Sequence, residues 1–252
     1  MRKPPAACLL IAVLSTSFFS WPAVAKDVCD AQSKAGDICL CKLSELHPTQ
    51  ASVGMEEVRI KANKLKGEMQ RRSGSDFLSY LRKHDKVELI VIGPGGNFYI
   101  TDRHHLARAL YDIGETTTYC NIVNNLSDTT PDAFWKYMKD NNEVYLKDHN
   151  GNVITPHDLP TSVKDLRNDP FRSLAGEVRE SCGLDKDDKG SRGEEYVEFR
   201  WADYLRAHWA QTGIAAEDIH TNFDRASKAA LRLAARKEAA SLPGYTGRIS
   251  CD

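Results

Sequence analysis

Residues 87–114 read VELIVIGPGGNFYITDRHHLARALYDIG and contain, in immediate succession, the signals for two strands and a helix. The β-branched run Val87–Ile92 predicts a buried strand. Gly93–Asn97 is rich in glycine, which turns the chain sharply, and Phe98–Thr101 returns it as the second arm of a hairpin. Apolar residues at helical spacing then predict a helix over Leu106–Ile113, which ends at a glycine suited to a C-cap. This stretch therefore predicts a β-hairpin that leads directly into a helix.

Four polar residues, Asp102, Arg103, His104 and His105, lie at the corner between the second strand and the helix. The first N–H groups of a helix have no partner within the helix, so this end attracts anions. Arg103 is suited to bidentate contacts with a phosphate, and a histidine is suited to proton transfer. Asp102 is suited to holding a divalent metal ion, to accepting a proton, or only to capping the helix beside histidines that are polar surface. The corner, with Arg108 one turn further along the helix, is therefore the candidate catalytic and phosphate-binding site.

The rest of the first half alternates strand and helix signals. We predict strands over Asp37–Leu43 and Thr116–Val123, and helices over Gly54–Glu68, Phe77–Leu81 and Asp132–Met138. Residues 44–50 are predicted to form a turn, because Pro48 forces extended backbone at the residue before it. Together these elements predict an α+β first half.

After about residue 160 the strand signals disappear and helical signals dominate. An acidic cap followed by proline, Asp169–Pro170, predicts a helix start, and an Ala-rich run predicts a helix over Phe223–Leu242. Between them, aromatic residues at helical spacing predict a helix from Tyr196 to Trp209. Such a stripe is typical of a buried core, and cofactor stacking is the alternative. The second half is therefore predicted to be mainly helical.

Composition limits the classes of function. The chain has 252 residues, of which 41% are hydrophobic and 27% are charged, so it is neither a disordered tail nor a minimal scaffold. Its 34 Lys and Arg against 35 Asp and Glu give a formal net charge of -1. A charge this small gives no overall attraction to nucleic acid or to an acidic membrane, so any phosphate site has to be local.

The N-terminus has the pattern of a secretory signal peptide. Arg2 and Lys3 precede an apolar run over Ala6–Phe19, and Ala23–Ala25 supplies the small residues that signal peptidase accepts. The run is shorter than the roughly 20 apolar residues of a membrane span, and an uncleaved anchor is the alternative. We therefore predict a signal peptide over residues 1–25, and a mature chain that is periplasmic or secreted and has no transmembrane segment.

Export would place the cysteines in an oxidising compartment. Removal of residues 1–25 leaves six of the seven cysteines, and an even number favours up to three disulfides whose pairing the sequence leaves open. Cys39 and Cys41 lie on one face of a predicted strand, about 6.6 Å apart, so each is expected to bond elsewhere. A zinc site is the alternative, but Cys39-x-Cys41 has no second close pair. The disulfide candidates are Cys29, Cys39, Cys41, Cys120, Cys182 and Cys251.

The corner sequence ITDRHHLARAL, residues 100–110, resembles the motif of the ParB/sulfiredoxin superfamily, in which a strand delivers a histidine-containing turn into a helix. Residues 43–50, LSELHPTQ, are similar to the opening segment of that family. DPFRSLA at residues 169–175 and EFRWA at residues 198–202 resemble the ParB-like nuclease branch. The resemblance covers most of the mature chain. It implies an α+β fold with a mixed sheet and helices in the N-terminal half, followed by a mainly helical C-terminal half.

The same resemblance implies roles for the corner, because the corner holds nucleotide phosphates in this superfamily. Arg103, His104 and His105 would bind phosphate, and Asp102 would be the catalytic or metal-associated carboxylate. We divide the mature chain accordingly into a ParB/sulfiredoxin-like domain over residues 26–160 and a helical extension over residues 161–252 that packs on it.

The chain departs from several branches of the superfamily. The corner has no sulfiredoxin-type catalytic cysteine, and the sequence has neither the G-E-R-R phosphate box nor the helix-turn-helix of partition proteins. Gln50 stands near the position where serine-kinase relatives have an acidic base, which leaves Glu45 as the nearest carboxylate for a catalytic role. These departures argue against sulfinic-acid reduction and against a serine-kinase activity.

Export favours hydrolysis over phosphate transfer, since nucleoside triphosphates are scarce outside the cytoplasm. We predict an exported ParB-like protein that binds a phosphate-containing ligand, a nucleotide or a nucleic acid, and hydrolyses phosphodiester bonds with the help of a divalent metal ion. The alternatives are a disulfide-stapled binding module whose helical half contacts a protein partner, and a nucleotide-dependent phosphotransferase. A further hypothesis is metal storage by the scattered histidines, which are His47, His84, His149, His157, His208 and His220.

Overall fold

The computed structural model describes residues 28–72, 74–185 and 196–251, and the predicted signal peptide lies outside these ranges. The strands are β1 (Ile38–Lys42), β2 (Leu46–Pro48), β3 (Ser52–Val53), β4 (Glu88–Ile92), β5 (Phe98–Asp102), β6 (Thr117–Asn125) and β7 (Arg167–Asn168). The helices are α1 (Met55–Arg71), α2 (Gly74–Lys83), α3 (His104–Asp112), α4 (Pro131–Asp140), α5 (Pro170–Glu180), α6 (Val197–His208) and α7 (Phe223–Ala234).

Five strands form one mixed sheet in the order β1-β6-β4-β5-β2. The predicted hairpin pairs β4 antiparallel to β5, with Ile92 opposite Phe98. Its turn contains Gly95 and Gly96 at φ values of 71° and 81°, a region that favours glycine. β6 lies parallel to β4 and antiparallel to β1, and β2 lies parallel to β5 at the opposite edge. The expected α+β fold, with a mixed sheet in the first half and helices in the second, is confirmed.

Helices cover both faces of the sheet. Because side chains alternate along a strand, Ile90 of β4 lies in the core shared with α1, α2 and α3, whereas Val91 packs against Phe134 and Met138 of α4. Both faces of β4 are therefore buried, and β5, its hairpin partner, carries the chain directly into α3.

The C-terminal helices α5, α6 and α7 form a separate core. From the aromatic stripe of α6, Trp201, Tyr204 and Trp209 are buried there, and the indole N–H of Trp201 donates to the Pro243 carbonyl at 2.8 Å. These three aromatic residues are core residues, as the spacing predicts.

The structure differs from the sequence-based expectations at three places. Residues 46–48 form the edge strand β2 rather than a turn, and an edge tolerates Pro48 because its missing N–H breaks no ladder bond. The two-residue strands β3 and β7 pair in parallel, and they are too short for periodicity to reveal. Helix α7 ends at Ala234, after which the chain turns and buries Ala239 against the helical core.

The six candidate cysteines form three disulfides. The pairs are Cys29–Cys39, Cys41–Cys120 and Cys182–Cys251. Cys39 and Cys41 each bond elsewhere, as their spacing predicts, so their thiolates are not available to a zinc ion. Three disulfides suit an oxidising, exported environment. Within the described ranges, no helix is both long and apolar enough to cross a membrane.

Candidate functional site

The β5–α3 corner opens into a cleft of about 1200 Å³. Its lining comes from the corner, from α1 and the end of α2, from residues 141–145, and from α5 and α6. This volume exceeds the roughly 300–1,000 Å³ of an ordinary small-molecule pocket. The cleft is therefore large enough for a nucleotide-sized or larger ligand.

Arg103 occupies the N-cap of α3 with a φ of 70°, in the left-handed region. Its backbone N–H donates to the Asp102 carboxylate at 2.6 Å. Its guanidinium donates to the backbone carbonyl of Asp85, and Nη2 also reaches the Asp85 carboxylate at 2.8 Å. The structure thus places Asp102 and Arg103 on the cleft lining, but the arginine is already bonded to a neighbouring loop.

His104 is buried, and its Nε2 accepts the backbone N–H of Thr49 at 3.0 Å. An imidazole nitrogen that accepts a hydrogen bond carries no proton, so the ring proton lies on Nδ1. Burial lowers the pKa of His104 to about 3, and repulsion from His105 and Arg172 adds to this effect. His104 is therefore neutral near pH 7 and ties α3 to the segment after β2.

His105 makes the corresponding bond to the start of α1. Its Nε2 accepts the backbone N–H of Gly54 at 3.0 Å and lies 3.5 Å from the Glu57 carboxylate. Burial lowers the pKa of His105 to about 3, Arg172 lowers it further, and Glu198 opposes this shift. Both histidines of the corner are therefore neutral donors that are fixed by backbone contacts.

A close approach at Gly54 brings α5 against the corner. A Cβ at this position would lie 2.6 Å from both the backbone N and Oγ of Ser173, so a larger residue would not fit. Ser173 Oγ also accepts the backbone N–H of Glu56 at 3.2 Å, in the first turn of α1. This contact places Arg172, the neighbour of Ser173, on the cleft lining beside the two histidines.

Arg172 is a functional candidate that is not among the site residues predicted from the sequence. Only 5% of this residue is exposed, and its Cζ lies 3.4 Å from the centre of the Phe199 ring. Its Nε and Nη1 are buried and have no hydrogen-bond partner. The signal that could have found it is the DPFRSLA segment, which carries an arginine among apolar residues at a helix start.

Two carboxylates lie close to the corner histidines. Glu57 on α1 pairs with Lys61 at 3.0 Å, and its Oε2 is buried without a hydrogen-bond partner. Glu198 on α6 pairs with Arg179 of α5. Each of these carboxylates is therefore paired with a cation, Lys61 or Arg179, near the corner.

Two residues proposed from the sequence lie away from the cleft lining. Glu45 is exposed and pairs with Lys42 at 2.7 Å. Arg108 binds Asp112 at 2.9 Å and donates to the Leu166 carbonyl at 2.9 Å, so it fastens α3 to the chain before β7. The structure brings together Asp102, Arg103, His104 and His105, but not these two.

The donor set of the corner does not fit a divalent metal ion. In the part of the chain that the structure describes, no three His, Cys, Asp or Glu side chains come together in a way that could hold a metal. Asp102 is exposed, and both histidines at the corner direct Nε2 to backbone N–H groups. We therefore derive no catalytic step through a metal.

A fully buried carboxyl lies on β4 close to the corner. Neither oxygen of Glu88 has a hydrogen-bond partner. Burial raises the pKa of Glu88 well above its usual value, Arg103 opposes the shift and Asp102 adds to it. The group is buried near Asp102 and Arg103 but is not part of the cleft lining.

Comparison with known proteins identifies a family and a similar solved structure. A family model described as "Putative ParB-like nuclease" matches residues 39–207, which is more than half of the chain. The crystal structure of protein Atu1540 from Agrobacterium tumefaciens is similar, with 30% sequence identity, a TM-score of 0.66, and coverage of 83% of this chain and 97% of that chain. No curated protein matches this chain. On the extent of the family match, the chain belongs to the ParB-like nuclease family.

Proposed function

We propose that the cleft binds a phosphate-containing ligand at the β5–α3 corner and that the protein hydrolyses a phosphodiester bond of that ligand. The observation that carries the proposal is the position of the α3 N-terminus, which opens into the cleft. The first N–H groups of a helix have no partner within the helix, so they are available to an anion that binds at this end. His104 and His105 add uncharged Nδ1–H donors, because their Nε2 atoms already accept backbone N–H groups.

In this proposal, proton transfer belongs to a carboxylate rather than to a histidine. Nε2 of each corner histidine already accepts a backbone N–H, and Nδ1 carries the ring proton, so neither ring offers a free nitrogen to a proton. Glu57 has a buried oxygen without a partner and lies beside His105. A water molecule gives its proton to Glu57 as its oxygen bonds to phosphorus. The ester P–O bond breaks, and the departing alkoxide takes a proton from solvent.

The test uses bis(4-nitrophenyl) phosphate and a single-stranded oligonucleotide as substrates, with and without magnesium. We expect wild-type protein to release nitrophenolate, and Glu57→Gln to be at least about 100-fold slower. Glu45→Gln is the matched control and should keep full activity, because Glu45 is exposed outside the cleft. Turnover at the same rate in wild type and Glu57→Gln would remove Glu57 from the mechanism. Oligonucleotide binding without turnover would leave only the binding part of the proposal.

We propose further that the protein is exported by cleavage after Ala25. The support is the agreement between the signal-peptide pattern and three disulfides, which persist in oxidising compartments. Expression of the full chain in a Gram-negative host, followed by mass spectrometry of the periplasmic fraction, should find a protein that begins at Lys26. An uncleaved protein in the membrane fraction would support the anchor alternative instead.

A further inference from the structure

Arg172 on α5 is a buried cation with unused hydrogen-bonding capacity. The residue is 5% exposed, it lines the cleft, and its Nε and Nη1 have no partner. Carboxylates nearby, of which Glu198 lies 4.0 Å from Nη2, partly offset its charge, but they leave Nε–H and Nη1–H without an acceptor. Buried N–H groups without an acceptor are costly, and an anion that binds at this point from the cleft would supply one.

The guanidinium is held in place without the use of its N–H groups. Its Cζ lies 3.4 Å from the centre of the Phe199 ring, and that ring contacts Tyr145 with ring centres 3.8 Å apart. Stacking of this kind uses the face of the guanidinium, whereas its N–H bonds lie in the plane. The Glu198 carboxylate is 4.0 Å from Nη2, beyond hydrogen-bond distance, and is paired with Arg179. The Arg172 guanidinium is thus held in one orientation while its Nε–H and Nη1–H groups have no acceptor.

Arg103, the arginine within the corner motif, does not meet these conditions. It donates both to the carbonyl and to the carboxylate of Asp85. Its side chain is 28% exposed, so solvent screens its charge more than that of Arg172. A ligand would have to displace Asp85 to engage Arg103 fully.

We propose that Arg172, and not Arg103, anchors the phosphate of the ligand, which then lies between Arg172 and the N-terminus of α3. The proposal rests on the function proposed above and deepens it by naming the residue that holds the anion. Arg172 and the first residues of α3, His104 and His105, line the same cleft, so a phosphate bound there would face both the arginine and the helix N-terminus.

The charges around this point also define the charge of the group that fits. Three cations, Arg172, Arg179 and Lys61, and two carboxylates, Glu57 and Glu198, surround the neutral histidines, which leaves one positive charge. The Asp169 carboxylate, which also acts on Arg172, is balanced by its ion pair with Arg206. Glu180, which also pairs with Arg179, is mostly exposed and therefore screened. A single negative charge, as on a phosphodiester, balances this site better than the double charge of a phosphomonoester.

The experiment compares two probes, the dinucleotide d(TpT), which has one phosphodiester, and thymidine 5′-monophosphate. Binding is measured by titration calorimetry at pH 7.5 on wild type, Arg172→Gln, Arg172→Lys and Arg103→Gln. We expect Arg172→Gln to bind d(TpT) at least about tenfold more weakly, because a charge-assisted hydrogen bond is lost. Arg172→Lys should be intermediate, because lysine keeps the charge without the fork of donors. Arg103→Gln should lose less affinity than Arg172→Gln, because the Arg103 guanidinium is already bonded to Asp85.

A second measurement, on wild-type protein alone, tests the proposal even if the Arg172 variants misfold. In wild-type protein, the Arg172 Nε–H resonance, assigned through the backbone, should shift on addition of d(TpT), whereas that of Arg103 should not. A cavity of about 10 Å³ also borders Arg172 and is large enough for one water molecule. If the free N–H groups serve only such a water, the Arg172 resonance will not respond to d(TpT).

The outcomes separate the two proposals. Failure of wild type to bind either probe overturns the proposed function and this inference with it. Equal affinity of wild type and Arg172→Gln for d(TpT) overturns the inference alone, as does a greater loss in Arg103→Gln than in Arg172→Gln. Tighter binding of thymidine monophosphate than of d(TpT) overturns the assignment of a singly charged group.

Discussion

The two sides of the cleft satisfy their polar groups in different ways. At the β5–α3 corner, His104 and His105 accept backbone N–H groups, and Arg103 is bonded to Asp85. On the α5 side, Arg172 keeps two buried nitrogens without a partner. The histidine Nε2 atoms and the Arg103 guanidinium are therefore already bonded within the protein, whereas on the α5 side a guanidinium keeps two buried N–H groups for a ligand.

This difference indicates that the side chains of His104 and His105 position neighbouring elements, whereas Arg172 offers free donors to a ligand. The histidines of the corner join α3 to the segment after β2 and to the start of α1, and this junction supports the close contact between Gly54 and Ser173. That contact places Arg172 in the cleft. The residues that look most like a site in the sequence thus hold the architecture, and a less conspicuous arginine supplies the free donors.

Acidification should cause the largest loss of stability, through the two histidines of the corner. Each corner histidine has a pKa of about 3 in the folded protein, against 6.5 for an ordinary histidine. Between these values the unfolded chain binds more protons than the folded one, so stability falls as the pH drops below about 6.5. From pH 7 to pH 5 we expect the free energy of unfolding to decrease by about 2 kcal/mol per histidine. Urea unfolding at a series of pH values measures this slope.

The control for this prediction replaces the titrating groups. A His104→Asn/His105→Asn double variant should be less stable at pH 7 but should lose much less stability between pH 7 and pH 5. His220→Asn, at an exposed position, should keep the wild-type profile. An equally steep profile in the double variant would assign the acid sensitivity to other groups.

Much of the fold was predictable because it depends on patterns within a few residues. The hairpin of β4 and β5 and the helix that follows it show in β-branched content, glycines and helical spacing. The strands β2, β3 and β7 have only two or three residues, and such strands depend on partners that are distant in sequence. No local pattern reveals pairing of this kind.

The site was predictable only in part, for the same reason. The corner motif located the cleft, but the bonds that fix His104 and His105 reach Thr49 and Gly54, more than fifty residues away. The position of Arg172 depends on a contact between α1 and α5 that spans 117 residues, from Glu56 to Ser173. Burial and lack of partners are properties of the folded chain, so the sequence alone left this arginine without a role.

Replacement of Arg172 by methionine should separate binding from stability on the α5 side. Methionine keeps much of the contact with Phe199 and removes buried N–H groups that have no acceptor, so we expect the free energy of unfolding to rise by about 1 to 2 kcal/mol while ligand binding is lost. Thermal and urea unfolding measure the first effect, and calorimetry with d(TpT) measures the second.

Arg206 provides the matched control for this substitution. It also lies near an aromatic ring, that of Phe171, but it is bonded to the carboxylates of Asp169 and Asp203. Arg206→Met leaves Asp169, which is 4% exposed, without its cation and should lower stability by about 2 kcal/mol. A destabilisation of similar size in both variants would mean that Arg172 is a structural cation like Arg206.

Glu88 gives the smallest effect and acts in the opposite direction to the histidines. Its pKa lies well above the usual 4.5, so the folded protein holds the proton that the unfolded chain releases, and its contribution to stability declines as the pH rises through the native pKa. Glu88→Gln keeps the shape and removes this dependence. We therefore expect the variant to exceed wild type in stability by a larger margin at pH 8 than at pH 5, which urea unfolding at the two pH values measures. Glu45→Gln, at an exposed position, should show no such difference. A gain that is equal at both pH values would show that Glu88 is ionised alike in the folded and unfolded states.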